Sequence, residues 1–405
     1  MFRSFFPNPK VFFLSALGWT ALSFLVWFTV GDALGELINI GAGLNLESGE
    51  GGRRPFFTPE KVWTYQFIIM TGATFCVLWA FLGRDQWYWW SVVGSTGLVL
   101  STYASVQISV FLNTWYGNFY DLIQRALTKP ETVTLADYYD QLLTAMYVLV
   151  PYITFLVALD FFTSHYLFRW RKAMNDYYMS FWPILRNVEG ASQRIQEDTQ
   201  KFAAIMETLG LSFVRSVMTL IAFLPLLWTL SEKVTEYPVL GDVSQGLVYL
   251  AILSAALGTV VLAAVGFKLP GLEFENQKVE AAYRKELVYG EDDHGRADPP
   301  TATQLFDNLR EFYFRYFFHY LYFNVARYAY LQGATFIPFI ALGPTIVTGV
   351  ITFGVFQQIL NAFNQVENAF QFLANSWTRI VELMSVHKRL RAFEQNIYAG
   401  EAVIA

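Results

Sequence analysis

Apolar runs of membrane-crossing length dominate this 405-residue chain and leave few folds open to it. Val11–Val30, Trp63–Leu82, Ser91–Leu112, Leu142–Phe162, Leu211–Leu230, Gly246–Phe267 and Thr335–Phe356 each approach the roughly 20 residues that carry a helix across a hydrocarbon core. Phe312–Leu331 is a further candidate. It is aromatic but holds Arg315, His319 and Arg327, so its inner end is expected to extend beyond the membrane. Inside lipid every backbone N–H and C=O must be satisfied within the protein, and a run of this length does so as a helix. The expected fold is therefore all-α and polytopic, with about eight transmembrane helices. The first run lacks a small-residue cleavage site and is long for a signal peptide, so it reads as a retained helix.

Composition agrees. Charged residues make up 15% of the chain, against about 25% in soluble domains. The net charge of −5 argues against nucleic-acid binding and favours cationic partners. Cys76 is the single cysteine, so no intrachain disulfide is possible. An even number of crossings places both termini on one side. With the termini inside, only Arg53, Arg54, Lys61, Arg125, Lys129 and Lys233 of the 28 Lys and Arg fall in outer segments, while Arg215 lies within a span. That bias fits the positive-inside rule. The outer loops are then Gly31–Val62, Asn113–Gln141, Ser231–Gln245 and a short turn near Gly333–Pro344. The inner segments Ser164–Gly210 and Lys268–Glu311 keep helical character outside the turn-rich stretch Gly290–Thr303, so helices run past the membrane on that side.

One helix breaks the apolar pattern. Thr345–Phe356 reads as membrane-spanning, and beyond it Gln357, Asn361, Asn364, Asn368, Gln371 and Asn375 recur at gaps of four and three. That spacing aligns all six amides on one helical face. Lipid cannot satisfy them, so the face must meet water or other polar groups. It either lines a water-filled cavity or joins helices, as in a dimer seam; in a symmetric dimer around a central cavity it does both.

No Gly is followed by Lys, so the chain has no Walker A loop, and it has no G-x-S-x-G elbow or H-E-x-x-H pair. His165, His294, His319 and His387 are scattered without metal-ligand spacing. Neither enzyme activity, a metal nor a cofactor is expected. Several acids lie where helices meet the membrane boundary: Asp160, Glu197, Asp198, Glu207, Glu280, Glu286, Glu291 and Glu367. Burial penalises an ionised carboxylate and can bring its titration toward neutrality, which is what a proton carrier needs. Ion pairs at helical spacing are the plainer reading for Glu197 with Lys201 and Glu280 with Arg284. Glu207 has no Lys or Arg within one turn, and Arg215 needs a partner from another helix.

The strings "HYLFRWRKAMNDYYMSFWPILRNVEGASQRIQEDTQKFA", "GFKLPGLEFENQKVEAAYRKELVYGEDD", "MFRSFFPNPKVFFLSALGW" and "FQFLANSWTRIVELMSVHKRLRAFE" resemble the SbmA/BacA family of bacterial peptide-antibiotic transporters. The resemblance covers essentially the whole chain and is closest to rhizobial and alphaproteobacterial BacA. It implies an inner-membrane homodimer with a transmembrane domain similar to that of an ABC exporter and no nucleotide-binding domain in the chain. Residues 1–90 would supply extra N-terminal helices, 91–391 the six-helix core and 392–405 a C-terminal tail. "NVEGASQRIQEDT" and "YRKELVYG" are similar to segments of peroxisomal ABC transporters. The resemblance further implies uptake driven by the proton gradient, with proline-rich and cationic antimicrobial peptides and bleomycin-like glycopeptides as cargo, and a place in symbiosis. It assigns proton coupling to the positions matching Glu197, Glu207, Glu280 and Glu291. Two other readings stand beside it: an ABC-type membrane subunit with a separate ATPase, and an envelope scaffold acting indirectly on peptide sensitivity.

Overall fold

The computed structural model describes residues 1–43, 58–188, 190–234, 236–238, 241, 243–293 and 295–404. His294 and the centre of the expected loop Gly31–Val62 lie outside the described residues. Among the described residues twelve α-helices follow one another: α1 Pro9–Ile38, α2 Pro59–Leu82, α3 Ser95–Thr128, α4 Leu135–Ser180, α5 Trp182–Leu185, α6 Ala191–Gln193, α7 Thr199–Ser231, α8 Gly246–Gly266, α9 Leu269–Asp292, α10 Pro299–Val347, α11 Phe353–Phe370 and α12 Phe372–Ile404. Two π-helical turns, Trp89–Gly94 and Arg194–Asp198, precede α3 and α7. The described residues hold no extended strand, and seven helical stretches are long and apolar enough to cross a membrane. The protein is thus an all-α, multi-pass membrane protein.

Local sequence sets the helix starts. Thr58 caps α2 by accepting from the Lys61 N–H, with Pro59 filling the first helical position. Thr134 and Asp137 form a reciprocal capping box at α4, with the Thr134 N–H donating to Asp137 Oδ2 at 2.9 Å. The expected outer loop Asn113–Gln141 is consequently mostly helical: α3 continues to Thr128 and α4 starts at Leu135.

The expected division of the last spans needs correction. α10 runs unbroken through Phe312–Leu331 and through the anticipated turn at Gly333–Pro344 to Val347, so Thr335–Phe356 is not one helix. Pro338 and Pro344 lie inside α10 without ending it. The chain turns instead at Thr348–Thr352, where Gly349 takes φ +68°, a conformation that suits a residue without Cβ. Thr352 then caps α11, accepting from the Val355 N–H at 3.3 Å.

The chain divides into two compact units, Met1–Ala222 with Glu382–Ala405, and Phe223–Val381. The first has an aromatic core in which the segment before α1 is itself buried. Phe5 stacks on Trp170 with centroids 5.6 Å apart, and Phe202, Tyr178 and Met174 close around them. The buried Asp198 receives Arg389 Nε at 3.1 Å, Arg389 Nη2 at 2.8 Å and Arg194 Nη1 at 2.7 Å, fastening the second π-helical turn to α12. In the second unit α8, α10 and α11 pack together, and α9 packs along α10.

Candidate functional site

α11 carries four of the six amides, Gln357, Asn361, Asn364 and Asn368, whereas Gln371 sits at the break after it and Asn375 lies on α12, so the expected single stripe is divided; the opposite face of α11 is the reason it packs. Ile359, Leu360, Ala362, Phe363 and Val366 are buried. On α11 Asn364 and Asn368 are exposed and Gln357 and Asn361 half-buried, and on α12 Asn375 is exposed. Gln371 departs from the stripe. The helix is interrupted there, with Gln371 at φ −78° and ψ 3°, and its side chain is buried. Helical spacing alone would have left it with the other amides.

Gln371 enters a polar cluster around Glu367, which is 6% exposed. Ser254 Oγ of α8 donates to Glu367 Oε1 at 2.5 Å, Gln371 Nε2 at 3.1 Å and Tyr330 Oη of α10 at 3.3 Å. Tyr330 Oη also lies 3.1 Å from the Ser254 carbonyl and bonds Gln371 Nε2. Neither Ser254 nor Tyr330 stood out in the sequence. The available signal was a hydroxyl and a glycine at Ser254 and Gly258, one turn apart on a helix without charged residues.

The four glutamates divide between the units. In the first, Glu197 lies in the π-helical turn, paired with Lys201 at 2.6 Å and accepting from Gln193 Nε2 at 3.1 Å. Glu207 is half-buried on α7, about 15 Å further along the helix axis. Its one hydrogen bond among the described residues is from Thr208 Oγ1 at 3.3 Å, and it forms no ion pair there. In the second unit Glu280 accepts from Tyr313 Oη at 2.8 Å. The partner expected from spacing, Arg284, is not the one it uses, because α10 brings a phenol against that face of α9. Glu286 is held by Arg296 at 3.3 Å and by the Ala297 N–H. Glu291 is exposed in the last turn of α9. Tyr316 Oη donating to Glu273 at 2.8 Å adds a second phenol–carboxylate contact between α9 and α10, and Arg315 Nη2 pairs with Glu275 at 2.9 Å beside it. Arg215, expected to pair across helices, is exposed and has no ion-pair partner among the described residues. Among those residues no three His, Cys, Asp or Glu side chains converge as metal ligands would.

The family profile described as SbmA/BacA-like matches residues 84–398. The inner membrane ABC transporter ATP-binding protein YddA of Escherichia coli is 27% identical over 313 residues, covering 72% of this chain and 54% of that protein. An uncharacterised ABC transporter ATP-binding protein of Synechocystis is 26% identical over 58% of the chain and 35% of its own length. The chloroplastic ABC transporter D family member 2 of Arabidopsis thaliana is 26% identical over 60% and 35%. The chain thus spans about half or less of the curated relatives it matches. With seven apolar helices of membrane-crossing length and a family match over most of its residues, this multi-pass membrane protein belongs to the SbmA/BacA-like family.

Proposed function

We propose that the chain imports peptides across a bacterial inner membrane at the expense of the proton gradient, as a homodimer with both termini in the cytoplasm, an orientation that requires α11 and the start of α12 to cross as an eighth span beside the seven apolar stretches. The observation that carries this reading is the exposed amide face of α11, backed by a buried apolar face. Uncharged amides in a membrane protein need water around them, and a wall of donors and acceptors without fixed charge holds extended peptide backbones without demanding one side-chain sequence. Transport as a class is supported by family membership and by relatives whose names are those of ABC transporters. The net charge of −5 favours cationic cargo, an attraction that salt weakens. Residues 91–391 serve as the exporter-like core, 1–90 as added helices and 392–405 as a tail. Cargo is of the proline-rich, cationic and glycopeptide classes that the resemblance to BacA suggests.

Glu197, Glu207, Glu280 and Glu291 couple protons to this cycle. Support is strongest for Glu207, half-buried on an apolar helix without a described cationic partner. Each charge crossing the membrane potential gains about 2.3 kcal/mol per 100 mV, so a few protons per cycle suffice for accumulation.

The second reading, a membrane subunit powered by a separate ATPase, rests on the relatives named as ATP-binding proteins. Proteoliposomes holding only this protein separate the two. Peptide uptake under an imposed acidic exterior without nucleotide supports the proton reading. Uptake that appears only with ATP and an added ATPase supports the alternative.

A further inference from the structure

We propose that the C-terminal third of α4, with α5, α6 and the second π-helical turn, binds an anionic phospholipid, its phosphate seated between Arg171 and Lys172 and an acyl chain laid along the exposed apolar face of α4. The starting observation is that face. Ile153, Val157, Phe161 and Phe168 are all exposed, and steps of four and seven residues keep them on one side of the helix. Arg171, Lys172 and Asn175 continue the same side by steps of three and four. The face therefore passes from apolar to basic along its length, which is the order of chemistry along a phospholipid. Ser164 lies within it, its hydroxyl already donating to the Asp160 carbonyl at 2.9 Å. α4 is among the helices long and apolar enough to cross a membrane, so acyl chains are the natural neighbours of its exposed apolar side chains.

The basic end is a groove rather than a flat patch. A cavity of about 500 Å³ opens there, in which Arg171, Lys172, Asn175, Ser192 and Gln196 supply polar groups and Phe168 and Trp182 supply apolar wall. Ligand sites are commonly of this size. The local charge suits an anion. Residues 164–201 carry six Lys or Arg against four Asp or Glu, in a chain whose net charge is −5. Nearby carboxylates are already matched: Glu197 by Lys201 at 2.6 Å, and the buried Asp198 by Arg194 and Arg389. Arg171 forms no ion pair among the described residues, and its Nη2 donates to the Gln196 carbonyl at 3.1 Å, which holds the guanidinium at the groove. Lys172 pairs with Asp176 at 2.5 Å, but both are solvent-exposed, and such a pair is worth little against a phosphate. Asp160 borders the apolar track about 16 Å along the axis from Arg171, beyond the screening length in physiological salt.

Aromatic rings flank the cations. Lys172 Nζ lies 5.6 Å from the centre of the Trp87 ring, and Arg169 Cζ lies 3.8 Å from that of Trp90. Tryptophan and basic side chains gather in this way where helices meet lipid headgroups. A guanidinium fork takes two phosphate oxygens at once, and a lysine beside it adds a point charge. Basic pockets between helices of this kind select anionic headgroups. The assignment does not rest on the importer reading.

The test is native mass spectrometry of the full-length protein, stripped of lipid in detergent and given phosphatidylglycerol or phosphatidylcholine with the same acyl chains. The expected result is retention of phosphatidylglycerol about tenfold tighter than of phosphatidylcholine, a preference that Arg171→Gln/Lys172→Gln abolishes. Arg125→Gln/Lys129→Gln, which removes the same two charges from the exposed end of α3, keeps it. Phe168→Gln weakens retention of phosphatidylglycerol by shortening the apolar track. Arg171→Lys, which keeps the charge and removes the fork, lowers the preference several-fold, so the test stays decisive if the double variant does not fold. Equal retention of the two lipids in the wild type, a preference unchanged in the double variant or in Arg171→Lys, or an equal loss in the control pair would each overturn the proposal. Displacement of the lipid by millimolar inorganic phosphate, with Phe168→Gln without effect, would overturn it in favour of a free-phosphate site. A double variant that loses a dimer mass while its lipid count is unchanged would assign the face to a second copy of the chain instead.

Discussion

Tyr330 lies so close to Gly258 that a Cβ on residue 258 would sit 1.9 Å from Cζ and 2.3 Å from Oη of the tyrosine. The phenol lies against the backbone of α8, reaching the Ser254 carbonyl at 3.1 Å and Glu367 beyond it. Gly258→Ala must displace the ring, whose hydroxyl is held by its hydrogen bonds to the Ser254 carbonyl and Glu367. Overpacking of this kind costs about 1–3 kcal/mol. The expected outcome is a lowered apparent melting temperature in detergent, and no further lowering by Gly258→Ala when Tyr330 is already replaced by Ala. Equal melting temperatures for Gly258→Ala and the wild type would contradict the packing described.

Asp198 is the anchor between the second π-helical turn and α12. It is buried, whereas Arg194 and Arg389 are partly exposed. Removing the carboxylate strands two guanidinium groups, and breaking a buried pair in this way costs about 3–5 kcal/mol, less here because the arginines reach water. Asp198→Ala should therefore lower the apparent melting temperature by several degrees, and Asp198→Asn by less, because the amide still accepts one hydrogen bond. Thermal unfolding of the purified variants measures this directly.

Glu207→Gln removes a titratable group that forms no described ion pair, so little stability depends on it. The variant should reach the membrane at wild-type levels, melt within a degree or two of wild type, and fail to accumulate peptide. Glu197→Gln differs. It breaks a largely exposed pair with Lys201, worth at most about 1 kcal/mol, so any large loss of uptake reports on protons rather than on folding. Wild-type uptake by Glu207→Gln would remove that residue from the proton path.

Asn368→Leu places an apolar side chain on the exposed amide face of α11 without touching the buried one. It should reduce peptide uptake several-fold while leaving the oligomeric state unchanged in size-exclusion chromatography with light scattering. Loss of the oligomer with this substitution would make the amide face an adhesive seam rather than a cavity wall.

Membrane class and helical content were legible from apolar runs alone, because a span of about 20 residues has one backbone solution in lipid. The boundary between α10 and α11 was not. Thr335–Phe356 is apolar throughout, and hydropathy is blind to where such a run bends. The prolines at 338 and 344 look like breakers but lie inside α10, while the turn falls on Gly349. Gln371 shares the spacing of the other amides, yet an interruption in the helix at that residue turns it inward. The partners of Glu280 and Glu367 lie 33 and 37 to 113 residues away for the contacts from Tyr313, Tyr330 and Ser254, beyond the reach of any local pattern. Local ion pairs were readable where both members sit on one helix, as for Glu197 and Lys201.

The most direct test of the central claim is uptake of a labelled proline-rich peptide into proteoliposomes that contain only this protein, with an acidic exterior and no nucleotide. The account predicts accumulation that collapses when a protonophore is added. Vesicles that hold folded protein and keep their gradient, yet take up no peptide, would contradict it.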